Sequence, residues 1–310
     1  MEESYLFLGL CTFTIVKFCS ILMVNKNRIR NAPIVGTLAG IFIYPIKSCK
    51  GIKVEEAECT WEGLKCFEAK DRHWMIINND NRMITARDEP TLLLINPSFH
   101  GNMMHLDAPG MPTVKVPTEP NIEGALVYTV KVFGHVNKGM DCGQEVSDWL
   151  SEYLKRPGTK LIYQHPKLEL PDVADENART SDKVAYGDEV TYSMLSEASV
   201  NDLNSRLDGK QVTVNSFRPN LYVKGCNAFD EDTWEYSYIE DASLWKMKQT
   251  ARCVLTTIDT EKGERDENQQ PLKTLKSYRP KAGESPCFGI SLSPDNPGVI
   301  KVGDNIRAWV

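Results

Sequence analysis

The sequence predicts an α+β chain rich in β-structure: a β-barrel-like N-terminal lobe, then a β-barrel domain with packed helices, after an N-terminal membrane-anchor helix. Three observations predict it. An apolar run of helical length opens the chain. Many short strand-like segments follow, punctuated by turn residues, and amphipathic helical patterns are few.

The anchor comes first. Tyr5 to Val24 spans 20 residues whose only charge is Lys17, and a helix of that length reaches roughly 30 Å, one hydrocarbon core. Lys17 can snorkel from an off-centre position. Glu2 and Glu3 do not make the positive n-region of a cleaved leader. Lys26, Arg28 and Arg30 follow directly, and this charge bias places the downstream chain in the cytosol. Residues 1–24 are thus a signal-anchor and 25–36 a polar linker.

From Thr37 the pattern changes to strands. Leu38–Tyr44, His73–Asn78, Met83–Arg87, Thr91–Ile95 and Val127–Phe133 read as strands, with Asn78 to Asn81 a hairpin tip. Glu145–Lys155 is the clearest helix, with apolar Val146, Trp149, Leu150, Tyr153 and Leu154 on one face and Pro157-Gly158 as its stop. Residues 37–165 form the first lobe and 166–186 an acidic, proline-containing connector. Residues 187–310 form the second domain. There, Ser196 caps a helix with Glu197 in its first turn, burying Val200, Leu203 and Leu207. Strands are expected near Gln211–Val214, Leu221–Lys224, Leu244–Gln249 and Val254–Ile258, with a helical piece around Leu272–Tyr278. Two closing strands flank a turn at Gly303-Asp304-Asn305.

Composition narrows the function. A net charge of -6 argues against a general nucleic-acid binder. The nine cysteines (11, 19, 49, 59, 66, 142, 226, 253 and 287) show no CxxC and no zinc spacing, which fits a reducing compartment with mostly free thiols. The five histidines share no short motif, and no GxSxG, P-loop or GxGxxG element is present. Cys49 and Cys226 read as structural thiols.

Cys253 is different, because Arg252 precedes it at the start of an apolar, β-type stretch. A cysteine there is often a small core residue. A neighbouring cation also favours thiolate, the form that binds metal. Lys47-Ser48, after a strand broken by Pro45, offers amides, a cation and a hydroxyl suited to phosphate, although a lysine in a turn is commonly just solvated. Arg72 and Arg218 sit beside the aromatics Trp74 and Phe217, and a partly buried guanidinium can bridge phosphate or carbonyl edges. Ser216 and Asn220 lie within reach of the Arg218 turn.

These segments occur in a set order: Thr37 to Gly51, Asp71-Arg72-His73-Trp74, Asn215 to Asn220, then Arg252-Cys253. The set resembles the MOSC family, and within it the membrane-anchored amidoxime-reducing branch, from about Val35 to the C-terminus. The resemblance implies a molybdenum cofactor (Mo-molybdopterin), with Cys253 as metal ligand and catalytic residue. Lys47, Ser48, Arg72, Ser216, Arg218, Asn220, Arg252 and Cys253 are the implied cofactor contacts. It also implies reduction of amidoximes and hydroxylamines, with nitrite a further candidate. Electrons would come from cytochrome b5 and NADH-cytochrome b5 reductase, and the location would be the mitochondrial outer membrane, facing the cytosol. The alternative is a non-catalytic cofactor carrier like the sulfurase-type members. One departure stands out: Gly187-Asp188-Glu189-Val190 carries an acid and a valine where relatives offer small hydroxyls, so only backbone contacts are expected there.

Overall fold

The computed structural model describes residues 31–310 except 133, 174, 180, 181, 189 and 210; the expected anchor Tyr5–Val24 lies outside the described residues. Among the described residues, no helix is long and apolar enough to cross a membrane.

The strand-forming run at the start of the described chain becomes β1 (Ile34–Ile43), its last four residues all buried. Pro45, which has no N–H for a ladder, follows its end. Six more strands join it: β2 (Tyr192–Ser196), β3 (Leu221–Lys224), β4 (Tyr236–Ile239), β5 (Ala242–Ala251), β6 (Ser285–Asn296) and β7 (Asn305–Trp309). The ladder runs β2–β3–β1–β7–β4–β5–β6, and β6 pairs back with β2. The ring is a closed seven-stranded barrel, so its strands have no open edge. Only β2 and β3 are parallel. Parallel neighbours need a crossover, and helix α2 (Glu197–Ser205) lies in it. The barrel is filled by Leu38, Ile41, Trp234, Leu244, Leu292 and Ile306 among others. β1 therefore ties the start of the described chain into a barrel built mainly from its C-terminal half.

The intervening residues build a second core. A four-stranded sheet has the order Val127–Val132, His135–Asp141, Lys160–Tyr163, Trp74–Ile77, and a three-stranded sheet joins Asn96–His100, Met103–Asp107 and Val114–Pro117. Helix α1 (Gln144–Tyr153) covers them, burying Val146, Trp149 and Leu150 against Trp74, Leu93, Leu106 and Leu161. Lys155, at φ 51°, breaks the helical path just before Pro157.

The Ser196 cap forms as expected, its side chain accepting from Ser199 N; Val200 and Leu203 are buried and Leu207 partly so. Helix α3 (Leu272–Tyr278) also forms. Five segments depart from expectation. Thr91–Ile95 is no strand: Pro90 opens a 3-10 turn over Pro90–Leu94 that buries the consecutive Leu92 and Leu93, which an alternating strand could not do. Met83–Arg87 makes only an isolated bridge at Met83, because the Thr85 carbonyl accepts from Asp88 and Glu89 and turns the chain. Gln211–Val214 joins no ladder; the Asn204 amide takes the place of a partner strand, accepting from Val212 N (2.8 Å) and donating to Val212 O (2.9 Å). Val254–Thr257 is a 3-10 turn, held by Thr256 and Thr257 hydroxyls donating to the carbonyls of Cys253 and Val254. The last two strands are not a hairpin: Gly298–Lys301 pairs with Glu56–Thr60, whereas β7 pairs with β1 and β4.

Candidate functional site

β1 and β5 run in opposite directions in the ring, and the segments just beyond their ends both reach one cavity. β1 delivers Lys47 and Ser48 beyond Pro45, and β5 delivers Arg252 and Cys253 beyond Ala251. Two tight turns bring Arg72 and Arg218 to meet them. Together they line a cavity of about 320 Å³, with Asn220, Arg87 and Asp188 in the same wall. Ser216 is not among the lining residues; it ends a 3-10 turn over Val214–Ser216.

Three of these residues hold left-handed backbone: Ser48 at φ 69°, Arg72 at 50° and Arg218 at 54°. Such conformations cost non-glycine residues about 1–3 kcal/mol each and persist where the surroundings enforce them. The enforcement is visible. Arg72 N donates to Tyr44 O (2.8 Å) and Arg218 N to Val214 O (3.1 Å), while Asp71 accepts from Tyr44 N (2.7 Å) and pairs with the Arg72 guanidinium.

Both guanidiniums lie over the ring of Tyr44, Arg72 at 4.6 Å and Arg218 at 4.2 Å from its centroid. The aromatic partner is therefore Tyr44, not the sequence neighbours Trp74 and Phe217. Trp74 stacks instead on Tyr163, and Phe217 lies under Arg252. Burial raises the Tyr44 phenol to about 12, so it stays neutral, its hydroxyl donating to Pro219 O. Arg218 also donates to Cys49 O at 2.6 Å. Burial raises the Cys49 thiol to about 12 and Cys226 to about 11, in keeping with structural thiols.

Asn220 is fully committed. Its side chain accepts from Arg72 and Ser193 N and donates to Phe42 O, stitching β1 to β2 beneath the cavity. Lys47 is buried and donates to Tyr186 O (2.8 Å) and to the Asp188 carboxylate. Burial lowers the Lys47 ammonium below its usual range, against the pull of Asp188. The Asp188 side chain is more than half exposed, and Lys47, Arg87 and Arg72 hold its carboxylate below the usual range. The Asp188 side chain thus enters the site, contrary to the backbone-only expectation for this segment.

Arg252 differs from its sequence reading as well. Its guanidinium turns inward, donating to Phe288 O and Phe217 O, both at 2.8 Å, and burial lowers it to about 10. Gly289, at φ 78°, leaves room for it; a Cβ there would meet Arg252 Nη2 at 3.3 Å and Met194 O at 2.6 Å. The cation that reaches the Cys253 sulfur is Arg87, whose Nη1 lies 3.9 Å away. Sequence reasoning missed Arg87 and Asp188. The only local signal was that both are charged residues next to the assigned segments.

The donor set suits an anionic, sulfur-bearing cofactor of the kind the resemblance implies. Five cationic side chains line the cavity against one lining carboxylate, Asp188. Arg252 Nη2 is buried and has no hydrogen-bond partner, a donor left over for a ligand. Cys253, only partly buried, presents a soft sulfur on the same wall.

The chain is similar to known proteins along most of its length. The family profile "MOSC N-terminal beta barrel domain" matches residues 35–157, and "MOSC domain" matches residues 181–307. Mitochondrial amidoxime reducing component 2 of Rattus norvegicus is 40% identical over 92% of this chain and 87% of its own. Mitochondrial amidoxime-reducing component 1 of Homo sapiens is 40% identical over 88% of this chain and 82% of its own. Among solved structures, the YUAD protein of Bacillus subtilis matches with a TM-score of 0.36 and 9% identity, over 89% of this chain and 98% of that one.

Proposed function

The chain belongs to the MOSC-domain family that includes the mitochondrial amidoxime-reducing components, and on that premise we propose that it is a molybdenum-cofactor-dependent reductase of N-hydroxylated compounds. Amidoximes and hydroxylamines are the substrate class, with nitrite as a further candidate. The observation that carries the reading is the meeting of five cations and the Cys253 sulfur in one cavity. The names of the relatives support both the reaction and a mitochondrial location.

In this reading, Lys47, Ser48, Arg72 and Arg218 hold the phosphate and pterin edges of the cofactor, and Arg252 adds the free Nη2. Cys253 holds the metal through its sulfur. Bound, the cofactor supplies the two-electron chemistry at its metal. Arg87 steadies negative charge on the sulfur, and Asp188 fixes Lys47 and Arg87 in place. Tyr44 keeps the Arg72 and Arg218 guanidiniums oriented toward the cavity. Electrons arrive from cytochrome b5 and its NADH-dependent reductase. The chain sits in the mitochondrial outer membrane through Tyr5–Val24, with the cavity on the cytosolic side.

Turnover of benzamidoxime with reduced cytochrome b5, measured with molybdenum content on the same sample, tests the proposal. Activity that is lost in Cys253→Ser supports it. Metal-replete protein without turnover would replace it with the carrier reading, and protein that takes up no molybdenum under ample supply would end both.

A further inference from the structure

One end of the barrel is apolar and aromatic where it meets solvent. Trp309 on β7 lies directly opposite Tyr236 on β4, and each is about two-fifths exposed. Ile34, at the start of β1, is 53% exposed, and the terminal Val310 is 80% exposed. Ile34 pairs with Arg307, two residues from Trp309. These four side chains therefore cluster at the end where β1 begins and β7 finishes. Lys246, paired with Glu235, and Arg307 border them.

The described chain also starts at this end. Pro33 O accepts from Ala308 N at 3.1 Å, and Ala32 O accepts from Arg307 Nη1 at 2.9 Å. The path toward the apolar run Tyr5–Val24 is thus fixed beside Trp309 before it leaves the barrel. Only residues 25–31 separate that point from the apolar run. Fully extended, this tether reaches about 25 Å.

We propose that the barrel end bearing Ile34, Tyr236, Trp309 and Val310 rests in the headgroup layer of a phospholipid bilayer. This rests on the proposed membrane anchor at Tyr5–Val24. Tyrosine and tryptophan favour that layer, where a ring can be half dry while its polar atom stays wet. Lys26, Arg28 and Arg30 in and beside the tether add attraction to anionic lipid.

The described chain starts at this end, so resting on it needs almost no tether.

The test uses the full chain in phosphatidylcholine vesicles, plain or brominated on the upper acyl carbons. The emission of Trp309 is the difference between wild type and Trp309→Phe. Wild type should sediment with the vesicles, and the Trp309 component should shift to the blue and be quenched in brominated lipid. Tyr236→Trp, which places a new reporter on the adjacent strand, should gain a quenched component. Sedimentation with both reporters equally bright in plain and brominated lipid overturns the orientation and leaves the anchor standing. Failure to sediment overturns the anchor, and this inference with it.

Discussion

The Cys253 sulfur lies 3.9 Å from Nη1 of Arg87, 166 positions earlier in the chain, whereas the adjacent Arg252 spends its guanidinium on two backbone carbonyls. The two arginines should therefore fail differently. Arg87, a quarter exposed in its side chain, can be removed without opening the core. Arg87→Ala should lower turnover or molybdenum retention about 10-fold or more through loss of a charge-assisted contact, with thermal unfolding nearly unchanged. Arg252→Met should instead cost about 2 kcal/mol or more of stability, because the carbonyls of Phe217 and Phe288 lose their donors inside the protein. Unfolding and metal analysis on both variants check this; equal melting would refute it.

Ser48 holds left-handed backbone in the turn that also presents Lys47. Glycine adopts that conformation freely, so Ser48→Gly should stabilise the protein by up to about 1 kcal/mol. It should also weaken cofactor retention by removing the hydroxyl. Denaturant midpoints and molybdenum content move in opposite directions if strain is kept here for binding.

Asp188 opposes the burial that pulls Lys47 below the ordinary lysine range. Asp188→Asn removes that opposition, and Lys47 should lose its proton at lower pH. The alkaline limb of molybdenum retention, followed between about pH 7 and 10, should then move down. On the acid side, Asp188 is itself held below the usual carboxylate range. Its contribution is complete above the ordinary value and disappears only as pH falls through the depressed one. An unmoved alkaline limb would argue against the pairing.

Glu231 is fully buried, accepting from Ser199 Oγ (2.7 Å) and Ser196 N (3.1 Å), with Oε2 lacking any partner. Burial raises its carboxyl above the usual range despite those two donors. A raised carboxyl binds its proton more tightly in the folded protein. Its stability contribution is therefore full below the ordinary value and fades as pH rises through the raised one. Glu231→Gln, always neutral, should be the more stable protein at neutral pH, with an advantage that shrinks toward pH 5. Denaturant unfolding at several pH values checks it; a constant gap would show that the carboxyl is not the cause.

Most of the candidate site was legible before any coordinates. Lys47, Ser48, Arg72, Arg218, Asn220, Arg252 and Cys253 could be named because short contiguous segments carry them, and those segments do line one cavity. Roles were harder to read than positions. Arg252 looked like the partner of Cys253 because the two are adjacent. Adjacent residues on extended backbone point to opposite faces, so adjacency argues against contact. The barrel strands over Leu38–Tyr44, Leu221–Lys224 and Leu244–Gln249 were visible as short apolar or mixed apolar and polar runs. Pro90–Leu94 and Val254–Thr257 were not. A short apolar run fits a strand or a 3-10 turn equally until the hydroxyls of Thr256 and Thr257, or the ring of Pro90, meet particular backbone groups.

The amino-acid order alone settled which chemistry-bearing groups exist and where helices α1 and α2 begin, because caps, prolines and helical spacing act within a few residues. The closed ring that lets β1 belong to the C-terminal barrel was decided only by the fold, as was the meeting of Arg87 and Asp188 with Cys253 and Lys47. Those outcomes depend on hydrogen-bond register and side-chain burial summed over strands more than a hundred residues apart, and no local pattern encodes such a sum.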